Sequence, residues 1–340
     1  MKKTLLALTV AAVATSAQAQ VELYKDDASS VQVKGTIATF AYQSDTDLKD
    51  NSVNPDTKTD LDVNAWAKAQ FDFEHKVTDT LVAGGTFEIQ SGTGFKESKN
   101  DAEFDDVAAY LKGDFGLVGI GEIGDISDSN DAVTKTDILN ELDNNYLPVA
   151  ASDSEGHGVS YTKEFGALTA VVDAYTESDE NTDNTYGASL NYQAEIFSVG
   201  AMYQTQGDTS YEFDGTTYTT SGTDSWALGA DFTAIEGLTL AAAYNVLTAE
   251  DINNSAQEIE VTNVTFSASY AATDAVTLYG VYGTQDAEVA NVKSNDADDI
   301  VLGASYAASD LLTVFTELAS RTDHAENETT EILVGAYFDF

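Results

Sequence analysis

Leu117-Val-Gly-Ile-Gly-Glu-Ile123 and Gly158-Val-Ser-Tyr-Thr-Lys163 are short alternating segments, and the chain between them, 124–157, has no sustained periodicity. That interval carries a heavy acid load: Asp125, Asp128, Asp131, Asp137, Glu141, Asp143, Asp153 and Glu155. An unstructured connection of that length is uncommon inside a compact domain unless it has a function. The segments on either side decide what kind of wall it belongs to. The expectation is a closed wall of strands, with the segment 124–155 folded into the bore and narrowing it.

A wall between lipid and water must alternate at period two along every strand, and this chain does so repeatedly. Ala65, Ala67, Ala69, Phe71 and Phe73 alternate with Trp66, Lys68, Gln70, Asp72 and Glu74. Leu81, Ala83, Gly85, Phe87 and Ile89 alternate with Val82, Gly84, Thr86, Glu88 and Gln90. Further apolar faces are Leu168/Ala170/Val172/Ala174, Phe197/Val199/Ala201/Tyr203, Trp226/Leu228/Ala230/Phe232, Leu238/Leu240/Ala242/Tyr244, Val264/Phe266/Ala268/Tyr270 and Ile300/Leu302/Ala304/Tyr306. The opposite faces are small or polar. A soluble sandwich would alternate too, but these strands run about ten residues, the length that crosses a bilayer when tilted. Aromatics also recur near their ends, as in interfacial girdles.

Connections alternate between short and long. Short turns fall at 75–79, 113–116, 164–166, 194–195, 234–237, 271–275 and 307–310. Long acidic connections fall at 44–60, 91–103, 124–155, 177–184, 207–223, 248–259, 286–298 and 321–329. Together they imply sixteen antiparallel strands with both termini on the short-turn side, and a barrel of that size encloses water. The last strand puts Ile332, Val334, Ala336, Phe338 and Phe340 on one face. It is expected to close against a first strand at 31–43, which abolishes the sheet edge.

Composition agrees. Hydrophobic residues make up 43%, with 17 Tyr, 15 Phe, 24 Gly and only 2 Pro, and proline is poorly tolerated inside sheets. No cysteine is present, which excludes a disulfide framework. Residues 1–19 read as a secretory leader: a basic start at Lys2 and Lys3, an apolar run, and Ala17-Gln18-Ala19 before the expected cleavage. The expected organisation is therefore a leader, 1–19, and one barrel, 20–340. Fifteen basic residues against 58 acidic ones give a net charge of −43, which repels nucleic acid and attracts cations.

With these elements in place the chain resembles the general, non-specific porins of Gram-negative outer membranes. The resemblance rests on Val21-Glu-Leu-Tyr-Lys-Asp-Asp27 followed by Val31-Gln-Val-Lys-Gly35, on Tyr110-Leu-Lys-Gly-Asp-Phe-Gly-Leu-Val-Gly-Ile-Gly-Glu122, on Thr136-Asp-Ile-Leu-Asn-Glu-Leu142, and on Gly335-Ala-Tyr-Phe-Asp-Phe340. It implies an outer-membrane, sixteen-stranded barrel assembling as a homotrimer, whose third outer loop bends inward. It further implies that Asp137 and Glu141 are constriction carboxylates, that Lys68 stands for a wall arginine, and that Tyr337, Phe338 and Phe340 belong to the strand read by the barrel assembly machinery. Glu122 stands where the family usually has an arginine, Ser154 or Glu155 falls near another, and Thr36 replaces a basic residue. The family's Pro-Glu-Phe-Gly-Gly is Asn140-Glu-Leu-Asp-Asn144. The basic half of the constriction is thus mostly missing, with Lys34, Lys68 and Lys112 too few to replace it.

The expected function is passive diffusion of ions and small hydrophilic solutes, with a preference for cations set by Asp137, Glu141, Asp143, Glu122 and Asp125 beside Lys68. No cofactor and no metal site is expected; no Asp-x-Asp-x-Asp-Gly spacing marks a calcium loop. Partners besides solutes and cations are outer-membrane lipid and lipopolysaccharide, to which divalent ions could bridge the Asp- and Asn-rich loops. An enzyme is disfavoured: of His75, His157 and His324, only His157 is near a strand hydroxyl, Ser160. A substrate-specific channel would need an aromatic slide, for which Trp66, Tyr175 and Tyr337 are dispersed candidates. A non-conducting structural or adhesive barrel is the remaining alternative. Gly35, Gly119 and Gly121 are expected to face outward, as at a subunit seam or a strand bend.

Overall fold

Sixteen strands hydrogen-bond in chain order and close on themselves in a computed structural model. It describes residues 21–49, 57–93, 97–124, 126–142, 146–147, 157–178, 182–213, 216–251, 258–290, 292–294 and 296–340. The wall strands are Ser29–Asp47, Asp62–Thr78, Leu81–Thr93, Glu97–Gly113, Gly116–Gly121, Gly158–Phe165, Leu168–Tyr175 and Thr185–Gln193, then Phe197–Gln206, Thr216–Ile235, Leu238–Asp251, Glu258–Ala271, Val276–Val289, Ala297–Ser309, Leu312–Thr322 and Glu328–Asp339. Every neighbouring pair is antiparallel, and Glu328–Asp339 closes against Ser29–Asp47 with Thr36 opposite Asp339 and Asp47 opposite Glu328. No described helix is long and apolar enough to cross a membrane; the strands make the crossing.

The chain ends share one edge of the first strand. Val21–Lys25 pairs with it at Ser30 to Val33, and the backbones of Phe340 and Gly35 bond each other reciprocally at 2.8 and 2.9 Å. A row of ladder bonds therefore continues past the last strand, and the barrel has no free edge there. Gly35 faces outward as expected, and the ring of Phe340 lies against it where a side chain would stand.

The faces follow the sequence pattern. Large apolar residues of alternate positions are exposed outward, among them Val199, Leu228, Leu240, Leu302 and Val334. Exposed aromatics form two belts: Phe165, Phe197, Phe232, Tyr270, Tyr306 and Phe338 toward the short turns, and Tyr186, Tyr203, Trp226, Tyr244 and Tyr282 toward the other end. Such rings suit the two membrane–water interfaces. The short turns lie close to where the alternation puts them, except the first, which falls at 79–80 because His75 to Thr78 stay paired with Leu81 to Ala83.

Several long connections are shorter than the sequence suggests. The hairpin expected to open at 91 stays paired to Thr93 and Glu97, and Thr216–Ile235 runs 20 residues. Accessory strands Thr57–Lys58, Thr209–Phe213 and Val292–Lys293 extend the ladder into the outer connections. Beyond the bilayer the backbone still gains from pairing, but no apolar face is required, so period-two contrast disappears while the strand continues.

The orientation of Gly119 differs from expectation. It is buried on the inner side, against Ile123 and Ile126, while its neighbour Ile120 points out. Gly121 ends its strand with φ +115, a conformation open to glycine, and a Cβ there would strike the backbone of Val107. At that residue the chain leaves the wall.

Candidate functional site

Past Gly121 the chain turns inward and its own bonds hold it. The Glu122 N–H donates to Val107 O at 3.0 Å, and Ile126 and Ser127 N–H both donate to Ile123 O. Thr162 on the wall donates to Ser127 Oγ at 2.8 Å. The next residues meet the wall polar group by polar group: Ser129 N–H donates to the buried Asp173 carboxylate, and Gln204 donates to Ser129 Oγ at 3.1 Å and to Tyr175 Oη at 3.3 Å. A single 3-10 turn, Asn130–Ala132, lies on the strands Thr185–Gln193 and Phe197–Gln206. Ala132 and Val133 pack with Met202 and Ala227 in a small apolar cluster.

A second anchor lies elsewhere on the wall. Glu317, fully buried, accepts the N–H groups of Asn140 (2.7 Å), Glu141 (3.1 Å) and Leu142 (2.8 Å), and the hydroxyl of Tyr279 (3.0 Å). Those four bonds use the whole acceptor capacity of a carboxylate. Asn140 also donates to Tyr279, and Tyr337 donates to Asn140 O and to the Glu141 carboxylate. Leu142 is fully buried among Ala38, Phe40, Val301, Phe315, Ala319 and Leu333. Burial of that one side chain is worth roughly 1.5–3 kcal/mol. The chain then returns along the wall, where Thr265 donates to Tyr146 O and Asn263 to Leu147 O at 3.2 Å.

Only 134–139 separates the seat at Val133 from the anchor at Asn140. Seven Cα steps reach at most about 24 Å. The strands from Thr216–Ile235 to Leu312–Thr322 are five spacings apart, an arc of about 24 Å before tilt is added. The segment bridges the two, with Thr136 fully buried, Leu139 packed against the anchor cluster and the Asp137 N–H donating to Thr134 O. Asp137 is exposed on it.

Charge is distributed unevenly around this bridge. Burial and the charge of Asp131 push Asp128 up to about 7. Burial lowers Lys135, opposed by Asp231 and Asp131. On the wall, Lys68 pairs with buried Glu88 at 3.1 Å, and Asp105 stands directly opposite Glu88. Arg321, the chain's single arginine, is bound between Asp299 and Glu331, all three nearly buried. Tyr42 donates to Glu331 as well.

The expected site residues thus scatter. Asp137 is on the bridge, Glu141 is held at the wall by Tyr337, Glu122 is at the loop root, and Lys68 is on the wall beside Trp66 at 6.0 Å from its ring. Asp125 and Asp143 lie outside the described residues. Phe338 faces outward and Tyr337 inward. Trp66 and Tyr337 meet around Phe40, with centroids 6.3–6.4 Å apart, whereas Tyr175 is buried beside Gln204. That ring cluster packs against Leu142 and Leu139 of the loop, so it anchors the loop instead of forming a slide. Ser160 is buried with no hydrogen-bond partner among the described residues, His157 included. His324 is half-buried between Gln285 (2.8 Å) and Ser294 (3.3 Å).

Sequence reasoning missed Glu317, Arg321 and Asp173. Period two puts all three on the inner face: Glu317 and Arg321 share the parity of Phe315, opposite outward Val314 and Leu318, and Asp173 that of Val171, opposite outward Val172.

The model of the Gram-negative porin family matches residues 5–325. The chain belongs to that family. This porin is a protein of the bacterial outer membrane, and its barrel is that of an outer-membrane channel. OmpT, an outer membrane protein of Vibrio cholerae, superposes with TM-score 0.74 at 17% identity over 94% of this chain and 100% of that one. An anion-selective porin from Comamonas acidovorans gives 0.69 at 15% identity, covering 92% and 100%. Salmonella typhi OmpF, in complex with daunomycin, gives 0.66 at 14% identity, covering 94% and 100%. Likeness at such identities establishes the fold. No curated protein matches the chain in sequence.

Proposed function

We propose that this porin is a passive, cation-preferring diffusion channel for ions and small hydrophilic solutes. One observation carries the reading: the inserted loop is held at two separate stretches of the inner wall, with exposed Asp137 in the span between. A tethered bridge limits solute size, and hydrated carboxylates raise the local concentration of cations. Two of the inward cations are already matched by carboxylates. Lys68 is matched by Glu88, and Arg321 by both Asp299 and Glu331. Two charges about 4 Å apart interact by roughly 1 kcal/mol in water and several-fold more near a low-dielectric wall. Salt blunts this, since screening acts within about 8 Å at physiological strength.

Asp137 is assigned the leading role, with Glu141, Glu122, Asp125 and Asp143 contributing to the anionic field around Lys68. The chemistry is permeation alone, with no catalytic step. Residues 1–19 would be removed on export, and the strand ending in Tyr337, Phe338 and Phe340 would be the part read during barrel assembly. A homotrimer is supported by Vibrio cholerae OmpT, described in a trimer form at 16% identity. Purified protein in a planar bilayer should give discrete open-channel steps, and liposomes carrying it should admit small cationic solutes faster than anionic ones of equal size. An absence of steps would favour a structural or adhesive barrel.

A further inference from the structure

Glycines on the inner wall follow the inserted loop from strand to strand. Gly158 meets Ile123, its Cβ position lying 2.6 Å from Ile123 Cγ1, and Gly119 meets the wall's Ser160 Oγ at 2.9 Å and then Ile126 Cγ2 at 3.2 Å. Gly187 meets the wall's Asp173 carboxylate together with Ser129 Oγ, Gly200 the carbonyl of Ala132, and Gly229 the backbone of Val133, 2.6 Å from O and 2.8 Å from Cα. Gly200 and Gly229 are direct cross-strand partners, so together they open one gap in the side-chain layer. Cβ atoms essentially never approach other atoms within 3.0 Å, and at Gly200 and Gly229 the obstacle is backbone, which cannot swing aside as a side-chain tip can.

We infer that this glycine track is the mould that sets how deep the constriction loop sits, and that Gly200 and Gly229 are positioning residues for the channel's size limit. The inference rests on the diffusion-channel reading for its consequence, but not for its geometry. To reach ordinary contact at 3.4 Å, a methyl group must lift Ala132–Val133 by about 0.8 Å at Gly229, and by about twice that at Gly200. Because the loop is also tied at Asn140 to Leu142, the lift moves the bridge into the bore.

The test is Gly200→Ala and Gly229→Ala, each in the full chain and in a chain whose residues 125–156 are replaced by a short turn. Gly222→Ala is the control, since its methyl meets nothing nearer than Gln206 O at 3.9 Å. Single-channel conductance should fall in both loop-bearing variants, entry of larger solutes should fall more steeply, and Gly222→Ala should match the wild type. The loss should vanish when the loop is shortened. Hydrogen exchange at the 129–133 amides should be faster in both variants, which reads the seat without any current. A variant that folds only once the loop is shortened supports the inference equally. Unchanged conductance and exchange, an equal loss without the loop, or failure to fold in both backgrounds overturns it. A silent wild type with altered exchange in the variants would sink the channel reading and leave the seat standing.

Discussion

Replacing Glu317 by glutamine should unseat the tip of the inserted loop while leaving the barrel intact. The side chain keeps its shape but trades one acceptor oxygen for an NH2 group. Glu317 Oε2 accepts from Glu141 and Leu142, and Oε1 from Asn140 and Tyr279. The best compromise keeps the oxygen toward Glu141 and Leu142 and lets the Tyr279 hydroxyl reverse to accept. The Asn140 N–H then faces a donor at 2.7 Å or less favourable geometry. A hydrogen bond to a charged group is worth about 1.5–3 kcal/mol, and a buried orphan N–H costs about 1–3 kcal/mol. A net loss of about 3 kcal/mol shifts the seated–unseated equilibrium of the tip by roughly 150-fold, at about 1.4 kcal/mol per decade. Single-channel recording should then show added open-channel noise and a higher mean conductance, with barrel folding checked by heat-modifiable electrophoretic mobility. Wild-type noise and conductance in a correctly folded Glu317→Gln protein would refute the anchoring argument.

Arg321→Gln strands two nearly buried carboxylates, Asp299 and Glu331, and should lower stability by about 3–5 kcal/mol, read as a reduced denaturant midpoint; Arg321→Lys should recover part of it. The raised pKa of Asp128 gives a signed pH effect. The folded chain holds that proton up to about 7 while the unfolded chain releases it near 3.8, so the group's contribution favours folding at low pH and is lost as pH rises through 7. Asp128→Asn should accordingly be more stable than the wild type at about pH 8 and indistinguishable near pH 4 in a denaturant titration. The same ionisation adds a negative charge at the loop root, so cation preference should rise between about pH 6 and pH 8 in the wild type and stay flat in the variant.

The wall was legible because a membrane imposes its contrast on every second residue. Phe197, Val199 and Tyr203 had to face lipid, and the inward parity of Ser198, Gly200 and Gln204 followed. Legibility ended where that constraint ended. Above the bilayer Thr57–Lys58 is paired but has no apolar face to betray it. Inside the bore the pattern is masked in the opposite sense: Phe40, Phe315 and Leu333 point inward because Leu142 covers them, and no local signal announces a cover arriving from 173 residues away in the chain for Phe315 and 191 for Leu333. The acid load of 124–157 marked the loop but not its attachments. Glu317 is conspicuous only once its four donors are in place, and Gly200 looks like any strand glycine until Ala132 lies on it. Arg321 reads as loop in the sequence because it precedes a polar stretch, although the ladder holds it opposite Asp299.

The claim at the centre is a continuous aqueous passage whose constriction is net anionic. Reversal potential across a potassium chloride gradient measures it directly, on the wild type and on the Asp137→Asn/Glu141→Gln double variant. The wild type should show a potential of the sign set by potassium, and the double variant a clearly smaller one. A potential of the opposite sign, or one that the two substitutions leave unchanged, would contradict the assignment of that charge to the bridging loop.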